Sequence, residues 1–174
     1  MGKDKILSRL VYKGHNRYEE SHGLWYEDFI PGEIYMHKPG RTVTEIDNIW
    51  QSLINLNNHP LHIDNDYASE TEFGKPLVSS LVTFGIVGGL SLAGTSARGI
   101  ANLGWDKVRF IHPVFVGDTI YAETEVISKR PSASRPGQGI VTVETRGLVK
   151  RGVVFMTAIR SFLIPLYTKS TDSE

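Results

Sequence analysis

The side chains best suited to chemistry crowd into one short stretch. From Asn57 to Asp64 the order is Asn-Asn-His-Pro-Leu-His-Ile-Asp, two imidazoles and a carboxylate around a rigid proline. Imidazole titrates near neutrality, so His59 and His62 are candidates for moving a proton to or from water. An amide such as Asn57 can orient that water but cannot take its proton. The same cluster is equally readable as a hydrogen-bonded loop, and spacing alone leaves both readings open. Zinc or iron could be held by His59, His62 and Asp64, but the spacing matches no metal signature and no metal is expected.

Downstream, the run from Pro76 to Ala97 carries no charge. A polar loop feeding an apolar helix sets titratable groups beside an apolar slot, a common way to build a binding site. The run is long enough to cross a bilayer. It is interrupted, however, by Gly85, Gly88, Gly89 and Gly94 and by several hydroxyls. Gly85-x3-Gly89 formally matches a helix-pairing motif, but the strand-rich sequence that follows predicts a helix buried by a sheet, with no membrane span. Glycine weakens a helix, and bare backbone at Gly85, Gly88 and Gly89 would let that sheet approach closely.

Asn57-Asn58-His59-Pro60-Leu61-His62, with Ala68 beyond, resembles the hydratase motif of the MaoC-like dehydratases, or (R)-specific enoyl-CoA hydratases, Asp-x-Asn-Pro-x-His-x5-Ala. Pro60, His62 and Ala68 match; Asn57 stands where that family has its catalytic Asp, and His59 where it has Asn. Phe73-Gly74-x-Pro76-x-Val78-Ser79-Ser80 resembles the family's Phe-x-x-Pro-Ile-Val-His-Gly, with serines for His-Gly. The resemblance runs from about Trp25 to Leu166.

It implies an α+β hot-dog domain, an antiparallel sheet wrapped around a long central helix lying within about Val78 to Ala93. It also implies reversible hydration of an enoyl-CoA, with the 3-hydroxyacyl-CoA as product. His62 would be the acid/base, Asn57 the water-orienting partner, and the backbone at Ser79 and Ser80 the oxyanion hole, with His59 and Asp64 in support. Asn57 within His-Pro-Leu-His surroundings, together with a later basic loop, is similar to the mesaconyl-CoA (β-methylmalyl-CoA) hydratase branch, which suggests a short branched or dicarboxylic acyl group. Lys129, Arg130 and Arg135, beside and within that loop, would meet CoA phosphates; as residues alone they read first as a solvated loop. The CoA thioester is the substrate and no cofactor is implied. The family's habit of joining two sheets implies a homodimer, or a larger assembly of dimers.

Two other classes fit the fold. A hot-dog thioesterase would use a carboxylate on the central helix, yet no Asp or Glu occurs between Lys75 and Trp105. A non-catalytic acyl-CoA-binding protein would tolerate the loss of the catalytic Asp.

The remaining elements must position this loop. The 174 residues suffice for one core, divided as an N-terminal extension (1–23), the domain (24–167) and a C-terminal tail (168–174). Basic and acidic residues balance at 19 each, which argues against nucleic-acid partners. With no cysteine, disulfides and thiolate chemistry are excluded. Met1 to Ser8 does not read as a secretory signal, so a soluble cytoplasmic protein is expected. The extension, with His15 and His22, is expected to be partly helical from Lys5 to Tyr12. A strand is predicted from Glu33 to Val43, interrupted at Pro39-Gly40. Thr44 should cap a helix whose apolar positions Ile46, Ile49, Trp50, Leu53 and Ile54 share one face, ending at Asn57-Asn58 before Pro60. His62 then falls in a connection, and Asn65 to Glu72 is short and helical. Strands are predicted over Asn102–Phe110, Thr119–Lys129, Gly139–Leu148 and Val153–Pro165, with turns at Gly117-Asp118, Pro136-Gly137 and Gly152.

Overall fold

The computed structural model describes residues 4–150 and 152–167. Its centre is a five-stranded antiparallel sheet of β3 (Ile34–Thr42), β4 (Ala101–Phe110), β5 (Thr119–Pro131), β6 (Gln138–Val149) and β7 (Val153–Pro165). The spatial order is β3-β5-β6-β7-β4, so β3 and β4 are the edges. Pairing slips between His37 and Arg41, where Pro39 and Gly40 interrupt β3. Proline is tolerated there because an edge strand needs only one ladder. Four helices connect β3 to β4: α1 (Glu45–Ile54), α2 (Pro60–Ile63), α3 (Asn65–Ser69) and α4 (Ser80–Ser91).

Burial alternates along β6 residue by residue, as a sheet with one covered face requires. On that face α4 lays Val82, Ile86 and Val87 against Ile120, Ala122, Val149, Met156 and Ala158. Past the end of α4, Leu24 and Phe29 cover Val126, Val141, Val143, Phe162 and Ile164.

A buried polar group lies on the same face. His37 Nε2 is 2.8 Å from Thr124 Oγ1, which is 3.0 Å from Thr145 Oγ1. Arg160 donates to Thr95 Oγ1 at 2.6 Å and lies 5.0 and 5.2 Å from the ring centres of Trp105 and Phe162. No carboxylate among the described residues pairs with this guanidinium, and burial pulls its pKa down to about 10. Thr95 donates in turn to the Ser91 carbonyl, so the cation sits near the C-terminal end of α4, where a helix favours positive charge. Burial, and next the charge of Arg160, push the His37 pKa down to about 4.

Two expectations are corrected, and the direction of one helix face, which periodicity leaves open, is observed. Ser8–Tyr12 and Tyr18–His22 form a hairpin, β1 and β2, in place of a helix. Gly14, His15 and Asn16 all adopt left-handed backbone and close its turn. The apolar face of α1 looks outward: Ile46, Trp50 and Leu53 are exposed while Asn48 and Ser52 are buried. And the close approach of sheet and helix falls on a sheet glycine. A Cβ at Gly147 would lie 2.7 Å from Val87 and from Phe155, whereas one at Gly85, Gly88 or Gly89 would meet nothing within 4 Å.

Candidate active site

The loop is built by three successive terminations. Thr44 caps α1, its hydroxyl accepting from the Asp47 N–H while the Asp47 carboxylate accepts from the Thr44 N–H. α1 ends at Ile54, earlier than the asparagines suggest, and the chain reverses at Leu56 (φ 54°). Pro60 then opens α2, where its missing N–H costs nothing. His62 therefore sits on a short helix.

His59 and Asp64 are engaged in capping. His59 Nδ1 accepts the Leu61 N–H at 3.2 Å, and Asp64 Oδ1 accepts the Tyr67 N–H at 3.0 Å. Among the described residues no three His, Asp or Glu side chains converge on a metal position.

His62 Nδ1 lies 2.8 Å from the Leu77 carbonyl oxygen. A carbonyl can only accept, so Nδ1 carries the hydrogen, and in the neutral ring Nε2 carries the lone pair. That is the tautomer a general base needs. Asn57 Nδ2 reaches Ser79 Oγ at 3.4 Å, which ties this amide to the start of α4.

Asn48 is the residue the sequence did not reveal. Its Nδ2 donates to the carbonyls of His62 (2.8 Å) and Leu77 (3.2 Å), and its Oδ1 accepts the Ser79 N–H at 2.9 Å. One buried amide thus joins the histidine helix, the strand-like entry to α4 and the cap of α4. Of the two expected oxyanion donors, the Ser79 N–H is occupied within the chain. The Ser80 N–H opens α4 and has no intrahelical acceptor; with the helix dipole behind it, such a group is able to donate to negative charge.

A cavity of about 230 Å³ adjoins the loop, lined by Glu45, Asn48, Ile49, His62, Lys75 and Pro76, among others. The ammonium of Lys75 lies 4.5 Å from the ring centre of Phe115. That places a cation beside the cavity.

Lys129, Arg130 and Arg135 stand elsewhere. Leu77 bridges Phe115, and Val43 bonds Asp118, so the start of α4 shares an end of the sheet with the start of β5. The turn between β5 and β6 lies at the opposite end, about 40 Å away along 13 residues of strand. Lys129 is held there by the carbonyls of Tyr26 and Glu27, at 3.1 and 3.2 Å. Arg130 and Arg135 are exposed.

This architecture, an antiparallel sheet closed around one long helix, is the hot-dog fold. A MaoC like domain model matches residues 28–147, and the chain belongs to that family. It is 30% identical over 142 residues to the mesaconyl-CoA hydratase of Cereibacter sphaeroides, covering 82% of this chain and 41% of that one. It is 33% identical over 99 residues to the (R)-specific enoyl-CoA hydratase of Aeromonas caviae, covering 57% of this chain and 69% of the relative. A solved Mycobacterium tuberculosis protein with a double hot-dog fold superposes with a TM-score of 0.76 at 24% identity, over 87% of this chain and 46% of the other. The chain thus spans about two-fifths of the length of its mesaconyl-CoA hydratase relative. No helix among the described residues is long and apolar enough to cross a membrane.

Proposed function

We propose that this chain is a hydratase that adds water reversibly across the double bond of an enoyl-CoA thioester. The observation that carries the reading is the bond from His62 Nδ1 to the Leu77 carbonyl, which leaves Nε2 free to act as a base. Nε2 takes a proton from water as the oxygen bonds to the β-carbon. The electron pair of the double bond moves through the α-carbon onto the thioester oxygen, met by the Ser80 N–H. The imidazolium then returns its proton to the α-carbon, and the balance is one water added. Asn57 holds the water and moves no proton.

Mesaconyl-CoA is the favoured acyl class, supported by the relative of that name and by Lys75 on the cavity wall, a cation suited to a second carboxylate. A homodimer is the proposed unit. Exposed Trp50, Leu53, Leu103 and Phe110 leave apolar surface on α1 and on the edge strand β4, and edge strands invite pairing. The replacement of an acid by Asn57 favours a second reading, an acyl-CoA-binding protein without turnover. Crotonyl-, mesaconyl- and longer enoyl-CoAs, followed by loss of the conjugated double bond, decide between them. Turnover abolished in His62→Ala supports the hydratase; bound thioester that never changes supports the binder.

A further inference from the structure

A buried imidazole that the proposed hydration does not use lies beside the end of α4 remote from His62. His37, on β3, is 8% exposed, and its Nε2 is engaged by Thr124. Its other ring nitrogen, Nδ1, has no hydrogen-bond partner among the described residues. Gly94 leaves that edge of the ring bare, because a Cβ there would lie 3.0 Å from Cε1 and 3.1 Å from Nδ1. His37 and Gly94 both line a cavity of about 360 Å³. The uncommitted nitrogen therefore borders open space.

The rest of the lining selects among ligands. Leu7, Leu24 and Leu90 make apolar walls, Lys38 stands exposed at the rim, and among the described residues no Asp or Glu takes part. Lys5 lines the cavity too, but its ammonium is held by Glu33 and Tyr35. Glu33 keeps its charge there, so that pair is neutral. Behind the ring, Arg160 is 5% exposed, its Nε has no partner, and no carboxylate among the described residues pairs with it. Glu123 follows the inward-facing Ala122 on β5, so strand alternation puts it on the outer face, where it accepts from Arg146 at 3.2 Å. The end of α4 and the residues after it bring no charge to the lining. The field at the bare nitrogen is set by Arg160 and Lys38, and it favours an anion.

We propose that this cavity binds a free aliphatic carboxylic acid, with its chain against Leu7, Leu24 and Leu90 and its carboxylate on His37 Nδ1. The bound form is an ion pair. The ring carries hydrogens on both nitrogens, Nε2 donating to Thr124 Oγ1 and Nδ1 to the carboxylate, while the Thr124 hydroxyl donates to Thr145. In the empty protein burial, and next the charge of Arg160, hold the ring neutral with its pKa down at about 4. A carboxylate gives the charged ring its missing partner and is itself drawn by Arg160, so ligand and proton enter together. No covalent bond changes, and the protein takes up one proton with each carboxylate. The cavity stands apart from the His62 loop, since the 12 residues of α4 span about 18 Å between them.

Calorimetry of the full chain with octanoate tests the site, with 1-octanol as the uncharged control. Octanoate should bind at least about tenfold more tightly than 1-octanol. Its affinity should rise as pH falls from about 8 to about 6, by up to about tenfold per unit, and buffers of different ionisation enthalpy should report the matching proton uptake. His37→Gln cannot take the proton, so it should lose at least about tenfold in affinity together with the pH dependence. Leu7→Asp, on an exposed wall, tests the slot without touching the buried ring and should weaken octanoate more than 1-octanol. No binding by the wild type, equal affinity for the acid and the alcohol, or binding independent of pH overturns the proposal. Unchanged octanoate binding in either variant, with a native far-ultraviolet spectrum, overturns it as well.

Discussion

Asn48 and Ser79 are joined by a 2.9 Å bond from the Ser79 N–H to the Asn48 Oδ1, inside the protein and beside the candidate catalytic histidine. The same amide grips the His62 carbonyl. Asn48→Ala leaves the His62 carbonyl and the Ser79 N–H unpaired, while the Leu77 carbonyl keeps His62 Nδ1, so stability should fall by about 1–3 kcal/mol in denaturant melts. The histidine helix also loses its register against α4, and kcat should drop roughly 10²-fold. In Asn48→Asp the carboxylate still accepts from Ser79 but cannot donate to the two carbonyls, so part of the loss should persist. Unchanged kcat in both variants would remove Asn48 from the positioning of the site.

His62→Ala should remove the proton carrier and lower turnover by roughly 10²–10⁴-fold without loss of folding. Asn57→Ala should cost less, because it removes only alignment of the water. Asn57→Asp separates two histories. Higher activity on crotonyl-CoA would mark a weakened hydratase. Lower activity on mesaconyl-CoA would show that Asn57 avoids repelling an acidic acyl group; that is the expected result.

Lys75→Met removes the cation from the cavity wall and should raise KM for mesaconyl-CoA more than for crotonyl-CoA. Equal effects on the two substrates would assign Lys75 to its contact with Phe115 alone.

The buried His37 predicts an acid-labile fold. Its folded pKa near 4 lies below the unfolded imidazole value, so the unfolded chain binds the proton first. Its contribution is intact above about pH 6.5. It is lost as pH falls toward 4, at a slope on the order of 1 kcal/mol per pH unit. In His37→Gln, which keeps a hydrogen-bonding group near Thr124, melting temperature should fall less steeply between pH 6.5 and 4.5 than in the wild type. Parallel curves would exclude His37 as the source.

Much of this fold is legible in the residues. Thr44 with Asp47 announces a helix start through local hydrogen bonds alone, and alternation along β5 to β7 is a local consequence of one covered face. Two of the misses are questions of direction, and one is a question of element type. The apolar periodicity of α1 fixes a face but not what that face looks toward, so nothing in it marks Asn48 as the buried clamp. A glycine in a helix and a glycine in a strand both permit close approach; only packing tells that Gly147 is used and Gly85 is not. The β1–β2 hairpin lacks a buried face of its own, and its turn at His15 and Asn16 uses left-handed backbone without the usual glycine pair.

The outward face of α1 gives the site a second master. One side of this helix holds the histidine loop through Asn48, and the other presents Ile46 and Trp50 to whatever covers them. Both sides belong to one helix of 10 residues. In the proposed dimer, assembly and the proposed catalysis would therefore share this one helix. Dilution below the association threshold should depress specific activity before any strand unfolds, a loss visible as concentration-dependent turnover with an unchanged far-ultraviolet spectrum.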